Sequence, residues 1–114
     1  MFKGLGQLGD IAKIAQQAQE MQRKMAELQT RLDEIEVEGV AGAGLVRATV
    51  TAKGALKAVA IDPSLLSAEE RDTVQDLIVA AVNDAQAKGR ERMQAEMQEL
   101  AAASGMPFPP GMMG

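Results

Sequence analysis

Between Ile11 and Ile35 the apolar residues fall at Ile11, Ile14, Ala18, Met21, Met25, Leu28, Leu32 and Ile35, in alternating steps of three and four. Such a heptad seam, held for about three and a half heptads, fits a helix with one continuous apolar edge and little else. The positions around it are mostly Gln, Glu, Lys, Arg and Ala, which favour helix. Asp10 reads as the N-cap, and residues 1–9, rich in glycine, read as a flexible segment before it. A helix of about 25 residues is roughly 37 Å long at ~1.5 Å per residue, so in a small domain it is expected to project. Its seam could pack on another helix of the same chain or on a second copy.

The period then changes. Val46, Ala48, Val50 and Ala52 alternate with Arg47, Thr49, Thr51 and Lys53, which predicts a half-buried strand. Gly54 marks a turn. Leu56 to Ile61 reads as a partner strand with Lys57, Val59 and Ile61 on one face, and Val37 to Val40 as a third, short strand. Pro63 cannot donate to a ladder and closes the sheet. Ser67 and Glu70 fit a capping box, with Glu69, Glu70 and Asp72 at the positive end of a helix dipole. Val74, Leu77, Ile78, Ala81, Val82 and Ala85 recur at helical spacing, and the helix is expected to continue through Met93, Met97 and Leu100 despite Gly89. Residues 101–114, rich in Pro, Gly and Met, are expected to be a disordered tail.

The fold class predicted is α+β: a long helix, a three-stranded antiparallel meander and a second long helix, with residues 10–100 as one domain. A three-stranded sheet has two edges, and the core lacks any aromatic ring because the only aromatics are Phe2 and Phe108. Open edges and a thin core both favour a homodimer in which a second copy extends or covers the sheet.

Composition removes several function classes. The 114 residues include no His and no Cys, which disfavours zinc and iron sites and excludes a His base or Cys nucleophile. No apolar run approaches the ~18 residues of a membrane span. Gly4, Gly6, Gln7 and Asp10 interrupt any signal-peptide core, so a cytoplasmic location is expected. No catalytic residue, metal, cofactor or small-molecule substrate is expected; an enzyme built from Asp, Glu, Lys and Asn across a dimer cleft is a remote alternative.

The motifs support mainly structural roles. Gly42-Ala43-Gly44 matches only half of a phosphate-binding glycine pattern and precedes a strand, so it reads as a tight turn. The acids Glu69, Glu70, Asp72 and Asp76 suit a helix start. Asn83-Asp84 interrupts an apolar stripe and reads as a polar pair that either bonds to a neighbouring element or turns outward. Formal charge is −4, and no global basic field exists. Basic residues nevertheless cluster locally: Arg23 and Lys24 lie together, and residues 88–92 (Lys-Gly-Arg-Glu-Arg) are net +2. Without aromatics for base stacking, single-strand recognition is disfavoured.

Met-Phe-Lys-Gly at the start, Gly-Ala-Gly-Leu-Val at 42–46, Ile-Asp-Pro-Ser-Leu-Leu at 61–66, Ala-Ala-Val-Asn-Asp-Ala at 80–85 and Pro-Pro-Gly in the tail occur in this order. Together they resemble the YbaB/EbfC family of bacterial nucleoid-associated proteins. The resemblance implies a tweezers-like homodimer of α-β-β-β-α chains that binds double-stranded DNA, associates with the nucleoid and influences gene expression, without enzyme activity. An acidic chain is repelled by DNA at long range, so contact must come from local cations. The residues expected to touch phosphate are Arg23, Lys24 and Arg31 on the first helix and Lys88, Arg90 and Arg92 on the last, with Lys13 and Lys3 assisting. The alternative is an acidic protein-interaction module that uses its heptad helix to bind a protein partner.

Overall fold

Strand β2 (Val46–Thr51) is the centre of the structure, because its alternation buries one side completely: Val46, Ala48 and Val50 are all fully covered. The computed structural model describes residues 2–104. Before β2 come helix α1 (Phe2–Glu34) and strand β1 (Glu36–Ala41). After it come β3 (Leu56–Ile61), two short 3-10 turns at Pro63–Leu65 and Ala68–Glu70, and helix α2 (Arg71–Ser104). The sheet is antiparallel with order β1-β2-β3, as the alternation predicted.

Helix α2 lies across β1 and β2. Its small residues Ala81 and Ala85 join Val46, Ala48, Val50 and Leu65 in the main core. Close approach is possible because β1 carries Gly39 where the helix crosses: a methyl there would run into the backbone of Ala81 and Ala85, with Ala85 Cα only 2.6 Å away. Gly89, which the sequence placed awkwardly inside a helix, has the same function further along, since a Cβ there would stand 3.0 Å from the Thr51 carbonyl oxygen.

Beyond the sheet, α1 returns alongside the C-terminal part of α2. Leu28, Leu32 and Ala52 form a second core with Met25, Ile35, Met93, Met97 and Leu100. The C-terminal half of the heptad seam is therefore used within the chain. Its N-terminal half is not, since Ile11 and Ile14 are 61% and 63% exposed. The chain extends 83 Å along its long axis and only 23 and 17 Å across it, so the helices do project.

Several local expectations need correction. Helix α1 begins at Phe2, so residues 2–9 are helical and Asp10 is an interior residue, not a cap. Ser67 precedes a 3-10 turn, where its carbonyl, not its hydroxyl, is engaged: the Glu70 N–H donates to Ser67 O at 3.1 Å, and the side chain makes no cap bond. The acceptor side chain lies earlier, where Asp62 Oδ1 takes the Ser64 N–H at 2.9 Å. The register of β3 shifts between Thr49 and Val50, so Leu56, not Lys57, faces Val50, while Val59 and Ile61 face Ala48 and Val46. Thr51, expected on the open face, is buried, because the turn that follows folds over it and the Ala55 N–H donates to its hydroxyl at 3.2 Å. Helix α2 includes residues 101–104 of the expected tail; the remainder, 105–114, lies outside the described residues.

The glycine motif is a turn. Leu45 N–H donates to Gly42 O at 3.1 Å, and Gly42, Ala43 and Gly44 all have positive φ. No helix among the described residues is long and apolar enough to cross a membrane.

Candidate nucleic-acid interface

Helical geometry divides the basic run of α2. Residues two apart on a helix point about 200° apart, whereas residues four apart share a side. Lys88 and Arg92 therefore lie on one side of α2 and Arg90 on the other. Lys88 reaches the free edge of β1, where its Nζ donates to the Glu38 carbonyl at 3.3 Å and pairs with Asp84 at 3.0 Å. Arg92 Nε pairs with Glu96 Oε1 at 3.1 Å. Arg90 is exposed and forms no ion pair among the described residues.

On α1, Lys13 lies in the uncovered stretch, where residues 11–20 are all exposed. Arg23 sits between Glu20 and Glu27, at 3.8 and 3.0 Å. Arg31 crosses to α2 and meets Glu96 Oε2 at 3.2 Å. Lys24 borders the groove between the helices, which also contains Arg31, Glu96 and Glu99, and it has no ion pair among the described residues. The two helices thus bring Arg31 and Arg92 together on Glu96, with Lys24 beside Arg31 in the groove. Of the seven sequence-predicted cations, Arg23, Arg31, Lys88 and Arg92 are held by acids of the same chain, and Lys13, Lys24 and Arg90 are not. Lys3 lies outside the described side chains.

Two acids that the sequence left without a definite partner organise this surface. Glu96 is 5% exposed and receives both arginines. Its position signalled as much, since it falls on the α2 stripe between Met93, Met97 and Leu100, where an apolar residue belongs. Asp84 is the other. Its Oδ2 accepts the Val40 N–H of β1 at 3.0 Å, so the polar pair expected at 83–84 resolves into one structural acid and an exposed Asn83. The Val40 N–H, and then Lys88, hold the Asp84 carboxyl below its ordinary value of 3.8.

Side chains from α2 therefore occupy the outer edge of β1, while β3 is open. Leu56 and Val59 on β3 are 50% and 36% exposed, and Leu66 just after it is exposed as well. Among the described residues no three acidic side chains gather as a metal site would require.

Comparison with known proteins agrees with this architecture. A nucleoid-associated protein of Afipia carboxidovorans is 47% identical over 100 residues, covering 88% of this chain and 95% of its own. One from Bradyrhizobium diazoefficiens is 44% identical over 107 residues, covering 94% and 99%. The crystal structure of an uncharacterized protein from Helicobacter pylori shares the fold, with a TM-score of 0.59 over 79% of this chain and 90% of that one, at 22% identity. The sequence profile of one family matches residues 7–106, nearly the whole of the described chain, and on that match the chain belongs to the YbaB/EbfC DNA-binding family.

Proposed function

We propose that the protein binds double-stranded DNA as a homodimer, through phosphate contacts that read little sequence, and that it associates with the nucleoid in the cytoplasm and influences gene expression there. Family membership carries the DNA reading, and the names of the relatives favour the nucleoid. The geometry supports it through two long helices that carry Lys13 and Arg90, both exposed, and the half-buried Lys24, with no acid paired to them among the described residues. These three make the first phosphate contacts; Arg23, Arg31, Lys88 and Arg92 contribute only by sharing or leaving their acids. Lys and Arg contacts to phosphate position a protein without discriminating bases.

The dimer forms through β3. Its outer edge is unpaired among the described residues, and Leu56 and Val59 beside it are exposed. Pairing of two such edges joins the sheets and leaves the helices projecting as a pair of tweezers.

Duplex binding measured against salt tests the reading. A few phosphate contacts give a logarithmic slope of about −0.9 per contact. The variant Lys24→Glu/Arg90→Glu should lose its gel shift on unrelated duplexes while keeping the wild-type mass in solution. Undiminished binding removes both residues from the interface. Absence of wild-type binding even at low salt favours the second reading, a protein-interaction module, which the exposure of Ile11 and Ile14 on an acidic chain supports.

A further inference from the structure

Glu96 is the only charged side chain buried among the described residues, and two guanidinium groups from different helices converge on it. Arg31 and Arg92 themselves remain 59% and 49% exposed. Two arginines closing on one oxyanion is the arrangement by which arginine captures phosphate. Here the oxyanion belongs to the protein.

We propose that Glu96 is a built-in competitor for phosphate, which withholds Arg31 and Arg92 from DNA in the resting chain. The inference rests on the DNA-binding reading above and names a restraint on that site. The carboxylate is anchored in α2 beside Met93, Met97 and Leu100 and cannot follow the arginines outward. A phosphate that takes both guanidinium groups leaves a buried carboxylate unpaired, which is strongly unfavourable. The cross-helix arginines therefore become available only as far as Glu96 releases them. Glu99 borders the same groove but is exposed and has no arginine partner among the described residues, so it adds to the local negative field without holding a cation.

The test compares Glu96→Gln with Glu99→Gln, which removes the same charge from the same groove. At about 0.1 M salt Glu96→Gln should bind a random duplex at least about fivefold more tightly than wild type, with a salt slope steeper by roughly 1 to 2 per protomer. Glu99→Gln should change affinity less than about twofold, because it frees no arginine. The triple variant Arg31→Gln/Arg92→Gln/Glu96→Gln should lose the gain. Glu96→Met serves as a second release variant, since an apolar side chain suits the Met and Leu around this site, and thermal melting confirms that each chain is folded. Equal effects of Glu96→Gln and Glu99→Gln, or a gain that survives in the triple variant, overturn the proposal while leaving DNA binding intact. Failure of wild type and every release variant to bind duplex overturns the DNA reading, and the competitor with it.

Discussion

Gly39 has a helix backbone where its side chain would be. The obstacle is the peptide chain of α2 and not a movable side chain, so relief requires separation of the helix from the sheet. Gly39→Ala should therefore destabilise the fold by about 3 kcal/mol, the upper part of the range for overpacking a core, read as a drop in the urea midpoint at constant slope. Asp84 makes a different prediction, in pH. Its folded pKa is lowered, so its contribution is present above the ordinary value of 3.8 and fades as pH falls through the depressed one. Asp84→Asn keeps an acceptor for the Val40 N–H but has no proton to gain. The stability difference between wild type and this variant should thus shrink between neutral pH and pH values below the ordinary one, as followed by denaturation midpoints. Equal differences across that range remove Asp84 from the acid response.

At the level of elements, periodicity made most of the architecture legible. The shift from steps of three and four to steps of two, and back, located both helices and β2, because burial imposes those periods directly. Element ends were less legible. Asp10 had the chemistry of a cap, but the helix continues through it to Phe2, and a hydroxyl at Ser67 does not by itself make a cap bond. The candidate cations were visible as residue types, but not their pairing, since Arg31 and Glu96 are distant in sequence and meet only when α1 folds back on α2. The heptad seam shows the same limit: spacing defines an apolar edge without saying how much of it is covered. The two halves should respond differently to truncation. Leu32→Ala, in the covered half at 1% exposure, should cost about 3 kcal/mol. Ile14→Ala, in the open half, should cost less than about 0.5 kcal/mol. Equal losses in thermal or chemical denaturation would mean that Ile14 is covered in solution.

For the whole molecule, the two sides of the sheet are unequal. Asp84 and Lys88 satisfy Val40 N–H and Glu38 O on β1, whereas the outer edge of β3 has no neighbouring strand among the described residues. The double variant Asp84→Ala/Lys88→Ala exposes the β1 groups and should produce species larger than those of wild type, seen by light scattering at matched concentration. An unchanged size distribution would show that these two side chains do not guard the edge. The consequence concerns how far assembly can go. A ribbon stoppered along one rim can be lengthened once, at the other; were two copies to join there as proposed, only stoppered rims would face outward, and each subunit would carry its own stop against growth into a fibre.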